Sequence, residues 1–212
     1  MNKVLTSIAA LFFVQLSAFA VVDLGSTVGR TPYEAYMSPV KQVFSSLNGN
    51  APDLVRVAAL MRQGRGFRYA HSDPFNPALP SETAAHRVGD CKDKALWLCD
   101  QLQDPSARFV IGKMKRGNRI SHAWVMWQGV GRWWILDCTM NASAIPADSV
   151  GPDDYVPLYS YSKNTPFRHT GIDSSAANVA SVAGKGRAPV ASKTPATAKA
   201  PVASRGLRLA SN

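Results

Sequence analysis

Cys91, His122 and Asp137 are the residues of this chain whose types and order could do chemistry together. A thiol at the start of a helix, then a base, then a carboxylate to orient that base is what thiol acyl transfer requires. Cys91 stands in Gly89-Asp90-Cys91-Lys92-Asp93-Lys94-Ala95, and His122 opens the run Ser121-His122-Ala123-Trp124-Val125-Met126-Trp127-Gln128. Asp137 closes Trp133-Trp134-Ile135-Leu136-Asp137. Each alone has a plainer role: a small core residue, a packed histidine among tryptophans, a strand terminator. Their order, spacing and shared face favour the joint role.

The helix that must position Cys91 is legible in its own residues. Asp90 or Gly89 can cap it, Asp93 lies in its first turn, and Ala95, Leu98, Cys99 and Leu102 recur at helical spacing. Cys91, four residues before Ala95, falls on the same stripe, at the N-terminal edge of the buried face. There the helix dipole and the unpaired N–H groups favour thiolate over thiol, below the free-thiol pKa of ~8.5. The same N–H groups can stabilise an oxyanion.

His122 and Asp137 need a hairpin of the right parity. Gly129-Val130-Gly131-Arg132 reads as its turn. If Gln128 pairs with Trp133, Trp124 faces Asp137, and His122 becomes a diagonal neighbour of Asp137 on the same face. A loop of odd length would turn one of them away. Trp124 shares the face of His122 and is the candidate for a substrate-binding cleft wall; the other tryptophans read as core.

These three blocks resemble those of the transglutaminase-like cysteine enzyme superfamily. Phe67-Arg68-Tyr69 and Asn76-Pro77-Ala78-Leu79-Pro80-Ser81-Glu82-Thr83 are similar to the lead-in of its bacterial transglutaminase-like cysteine proteinases. The resemblance spans about residues 32–160 and implies a papain-related α+β fold, with the catalytic helix packed on an antiparallel sheet. It also implies Cys91 as nucleophile, His122 as general base and then acid, and Asp137 as the orienter of His122. Some bacterial members hold calcium on acidic side chains around the cysteine. Here Lys92 takes a position that is acidic in those members, so no metal site and no cofactor are expected, and Asp90 with Asp93 suffices as a capping pair. His71, His86 and His169 show no paired spacing for zinc.

The first residues carry an export signature. Met1-Asn2-Lys3 is a short basic start, Val4 to Phe19 is mostly apolar, and Ala18-Phe19-Ala20 offers small residues for cleavage. Residues 1–20 therefore read as a signal peptide with a mature start near Val21. The destination is periplasmic or secreted, with no integral membrane domain after cleavage. Residues 21–173 are expected to form the domain that resembles the transglutaminase-like enzymes. Residues 174–212, rich in Ala, Pro, Ser and Lys with no acid and no aromatic, read as a disordered basic tail. Lys185, Arg187, Lys193, Lys199, Arg205 and Arg208 put most of the formal charge of +10 there. The tail is suited to an anionic cell-envelope polymer or is a solvated spacer; an exported chain has no nucleic acid to meet.

Within the domain, Pro32 to Leu47 and Pro52 to Gln63 read as helices, the second ended by Gly64 and Gly66. Ser81 to His86 reads as a helical turn, Ala107 to Met114 as a strand leading into an antiparallel meander, and Asp153, Asp154 and Tyr155 as a surface turn. Strand parity sends Cys138 to the sheet side opposite Asp137, and the stripe bearing Cys99 is expected on the Asp137 side, so no disulfide between Cys99 and Cys138 is expected. Cys91 and Cys99 are separated by about two helical turns, ~12 Å, too far to bridge.

The expected activity is hydrolysis of an amide bond in a protein or peptide through an acyl-thioester on Cys91. Two alternatives remain at this point: an acyl transferase that resolves the same thioester with a lysine amine, and a noncatalytic envelope-binding domain on the same fold.

Overall fold

The computed structural model describes residues 22–170. The signal-peptide and tail readings lie outside the described residues. No helix among the described residues is long and apolar enough to cross a membrane.

Four helices precede the body of the sheet: α1 (Ser38–Ser46), α2 (Leu54–Arg65), α3 (Pro80–His86) and α4 (Cys91–Leu102). The single helix expected from Pro32 to Leu47 is instead a 3₁₀ turn, Glu34–Tyr36, followed by α1. Pro39 falls in the first turn of α1. Its ring and missing N–H are tolerated there and not in the interior of a longer helix. The Asp53 side chain accepts from Arg56 N (2.8 Å) and starts α2. Gly64 lies inside α2 rather than ending it, because a Cβ there would stand 2.7 Å from Cys138 Sγ and 2.8 Å from the Trp97 ring. Gly66 supplies the end.

The sheet has seven antiparallel strands: β1 (Ser26–Thr27), β2 (Arg108–Lys115), β3 (His122–Gly129), β4 (Arg132–Leu136), β5 (Ile145–Pro146), β6 (Asp154–Ser162) and β7 (Thr165–Arg168), in the order β1-β7-β6-β2-β3-β4-β5. The expected meander is therefore only β2 to β5. The chain then returns to pair β6 with β2, and β7 closes back on β6. Asp154 and Tyr155 open β6 and are not a surface turn.

Gln128 pairs with Trp133 and Gly129 with Arg132, leaving Val130 and Gly131 as a two-residue loop with φ of 51° and 76°. Two left-handed residues make the hairpin turn whose twist matches the strands. An even loop puts His122 and Asp137 on one face, as parity demands.

Alternation then splits the sheet into two apolar faces. Phe109, Ile111, Val125, Trp127 and Leu136 join Trp97, Leu98 and Cys99 of α4 in the larger core. Val110, Trp124, Met126 and Ile135 form a smaller cluster on the other face. Every residue of α4 from Cys91 to Cys99 is buried, so the helix is enclosed on all sides instead of showing a single stripe. Lys94 can be inside because its ammonium donates to Phe67 O (2.7 Å). Cys138 lies in the same core as Cys99, its thiol 3.8 Å from Lys94 O. The stripe of Cys99 thus meets the Cys138 side of the sheet and not the Asp137 side, which corrects the expected facing. All three cysteines are free thiols.

Candidate active site

Cys91 is the first residue of α4, and its placement rests on a reciprocal cap. Asp90 Oδ1 accepts from Lys92 N (3.1 Å) and Asp93 N (3.5 Å), while Asp93 Oδ2 accepts from Asp90 N (3.0 Å). Lys94 N donates to Asp90 O (3.0 Å). Among the described first-turn donors, the Cys91 N–H is left without a partner.

His122 is the first residue of β3, so its ring lies at the end of the sheet, where the N-terminus of α4 arrives. Nε2 donates to Asp137 Oδ2 at 2.8 Å, and the Cys91 thiol is near enough for its charge to act on the ring. The structure thus brings Cys91, His122 and Asp137 together. Cys91 is 9% and His122 8% exposed, and Asp137 is buried. Burial opposes charge on the imidazole. It is outweighed by the hydrogen bond to Asp137 and by the charges of Asp137 and Cys91, which raise the His122 pKa to about 9.

Each carboxylate oxygen of Asp137 accepts two hydrogen bonds. Oδ1 accepts from Thr139 N (3.0 Å) and Met140 N (3.2 Å). Oδ2 accepts from Tyr155 Oη (3.0 Å) as well as from His122. Tyr155 in turn accepts from Asn141 Nδ2 (2.7 Å). Burial, then the charge of Asp137, pushes the Tyr155 phenol well above its ordinary pKa, so it stays a donor. From the sequence Tyr155 reads only as part of a surface turn, and Asn141 carries no signal of its own. The alternating run from Tyr155 through Val156, Leu158 and Ser160 carried a strand signal, interrupted by Pro157.

Trp124, the candidate cleft wall, is 1% exposed. Its ring stacks near His122 (centroids 6.1 Å, 23° between planes) and meets Tyr155 edge-on (5.4 Å). It supports the imidazole from behind and offers almost no surface to a substrate.

The acidic pair beside Cys91 does not fit the calcium that the sequence resemblance implies for some bacterial members. The Lys92 ammonium, on a side chain 2% exposed, is paired with Asp90 Oδ2 and donates to Ser72 O (3.0 Å) and Ser72 Oγ (2.8 Å). The Asp93 carboxylate is taken up by Ala78 N (2.9 Å) and Asp90 N. The Asp90 and Ser72 oxygens already hold a cation, and those of Asp93 already accept backbone N–H groups. Among the described residues, no group of three or more His, Cys, Asp or Glu could hold a metal ion. His169 lies apart, with Nε2 on Ser160 Oγ (2.8 Å) and Nδ1 on Asp23 O (3.1 Å).

No family model and no curated protein matches the sequence. Solved structures do. Calcium-bound LapG of Legionella pneumophila is 18% identical over 66% of this chain and 81% of its own, with a TM-score of 0.45. A second LapG structure is 14% identical over 73% and 88%, with a TM-score of 0.46. A candidate cysteine protease from Cytophaga hutchinsonii is 20% identical over 65% of this chain and 54% of its own, with a TM-score of 0.35. By its three sequence blocks, the chain resembles the transglutaminase-like cysteine enzymes, and its fold is α+β with a seven-stranded antiparallel sheet.

Proposed function

We propose that this chain is an exported cysteine hydrolase that cleaves an amide bond in a protein or peptide through an acyl-thioester on Cys91. The observation that supports the reading is the His122 ring hydrogen-bonded to Asp137 Oδ2, with the Cys91 thiol near enough to act on it. His122 takes the proton of Cys91, and the thiolate attacks the substrate carbonyl. The Cys91 N–H, at the positive end of α4, is placed to donate to the oxyanion. As the tetrahedral intermediate collapses, the C–N bond breaks and imidazolium gives its proton to the leaving amine. Water, deprotonated by the same imidazole, then attacks the thioester, releases the acid and restores the thiol. Asp137 keeps the ring oriented and its positive form stabilised throughout. Export rests on the basic start, the apolar run and the small residues at 18–20.

The test is the pH dependence of Cys91 alkylation by iodoacetamide, followed site by site by mass spectrometry, with His122→Ala as control. Reaction well below the free-thiol pH range that is lost in the variant supports the reading. A Cys91 no more reactive than a denatured thiol sinks it. Acylated enzyme supplied with a primary amine then separates outcomes: release of free acid is hydrolysis, and accumulation of the amide is acyl transfer.

A further inference from the structure

The described residues leave seven large apolar side chains exposed. Three of them belong to the segments that carry the site. Ile120, 84% exposed, is two residues before His122. Met140, 53% exposed, follows Asp137 in the turn whose N–H groups hold Asp137 Oδ1. Tyr69, 52% exposed, stands on the segment that runs beside the approach to Cys91: Arg68 N donates to Arg87 O (2.9 Å), Gly89 N to Arg68 O (3.1 Å) and Ala70 N to Gly89 O (3.4 Å). Its phenol also feels the charges of Cys91, Asp90 and Asp93. Apolar side chains gathered at one exposed place mark an interaction surface, and these three stand on the segments that carry Cys91, His122 and Asp137.

Charge at the same place narrows the ligand. Lys115 and Arg116 are engaged by Asp154 (2.7 Å) and Asp153 (2.5 Å). Arg119, exposed and beside Ile120, has no acidic partner among the described residues. The buried Lys113 ammonium donates to Arg119 O (2.6 Å) and so fixes the turn that presents both side chains. We propose that Tyr69, Ile120 and Met140, with Arg119, form the substrate-binding rim of the Cys91 site, and that this rim takes an extended peptide with a bulky apolar side chain beside the scissile amide and an acidic one next to it. The assignment of that peptide as substrate rests on the proposed hydrolase; the rim and its preference do not.

The experiment measures second-order rates of Cys91 alkylation by plain iodoacetamide and by iodoacetyl groups on Leu-Glu, Ser-Glu and Leu-Lys amides. The Leu-Glu reagent should gain roughly tenfold over Ser-Glu, as burial of one Leu-sized side chain implies. Its advantage over Leu-Lys should shrink as salt is raised. Ile120→Ser should erase the first ratio and Arg119→Glu should invert the second, while Val55→Ser, an exposed apolar side chain on α2, alters neither. Equal rates for the three arms, or ratios indifferent to Ile120→Ser and Arg119→Glu, overturn the rim. Plain iodoacetamide reads activation of the thiol separately. An activated Cys91 blind to the arms keeps the hydrolase and removes the rim; an inert Cys91 that still prefers Leu-Glu does the reverse.

Discussion

Tyr155 donates its phenol hydrogen to Asp137 Oδ2 at 3.0 Å, the same oxygen that His122 Nε2 reaches at 2.8 Å. One carboxylate oxygen therefore fixes both the ring that faces Cys91 and a tyrosine from β6, two strands away from β3. Tyr155 touches no reacting atom and is a positioning residue. Tyr155→Phe should lower the Cys91 alkylation rate at pH 7 roughly three- to tenfold, the net weight of one ordinary intramolecular hydrogen bond. The lost rate should track a broadened or shifted His122 ring signal in NMR. An unchanged rate would mean that the Thr139 and Met140 N–H groups hold Asp137 without help.

How far this site could be read in advance depended on sequence separation. Asp90, Cys91 and Asp93 lie within one turn, so cap and nucleophile follow from local spacing. His122 and Asp137 are joined by one hairpin, so parity alone sets their shared face. Tyr155 arrives on a strand that crosses back to β2, next to a register shift at Gly112 and Pro157. No local rule connects it to Asp137. The facing of the Cys99 stripe differs from the expectation for a related reason: α4 is buried all round, so no single apolar stripe reports which sheet face it covers.

The His122 pKa of about 9 has a definite sign for stability. The folded value lies above the unfolded one of ~6.5. The stabilisation is therefore complete below about pH 6.5 and is lost as pH rises through about 9. Urea unfolding of the wild type should show a fall in stability between pH 7 and 10 that His122→Gln does not share. In NMR, Asp137→Asn should bring the His122 titration down toward the ordinary range. A His122 that titrates near 6.5 in the wild type would remove the ion-pair account.

Alkylation should be selective among the three thiols. Burial, then the charge of Asp137, raises Cys138 to about 12, and burial drives Cys99 well above the ordinary range. Neither forms thiolate at neutral pH. Native protein at pH 7 with excess iodoacetamide should carry one adduct, on Cys91, and denatured protein three. Labelling of Cys99 or Cys138 in the native state would show that the core around α2 and α4 opens.

Lys92 closes the acidic start of α4 with a cation of its own. Lys92→Met leaves the Asp90 carboxylate buried without its partner, at a cost of about 3–5 kcal/mol. Urea unfolding measures it. Calcium or a chelator should leave the melting temperature of the wild type unchanged, since the Asp90 and Ser72 oxygens are already engaged. A rise with calcium would show that the ammonium can be displaced.

The hairpin that sets parity carries a strained residue at its tip. Val130 adopts φ of 51° while its side chain is exposed, so β-branching costs energy there and packing returns little. Asn suits the first loop position of this two-residue turn, ahead of Gly131. Val130→Asn should therefore stabilise the fold by about 0.5–1 kcal/mol, read by urea unfolding, with Cys91 reactivity unaltered. Inserting one glycine between Val130 and Gly131 is the stronger probe of the same relationship. It makes the loop odd, and a register that follows the loop turns either His122 or Asp137 to the other face. If the insertion variant folds and keeps Cys91 reactivity, register is held by packing of Trp127 and Leu136 and not by loop length. If reactivity vanishes while the fold survives, the even loop is what sets His122 beside Asp137.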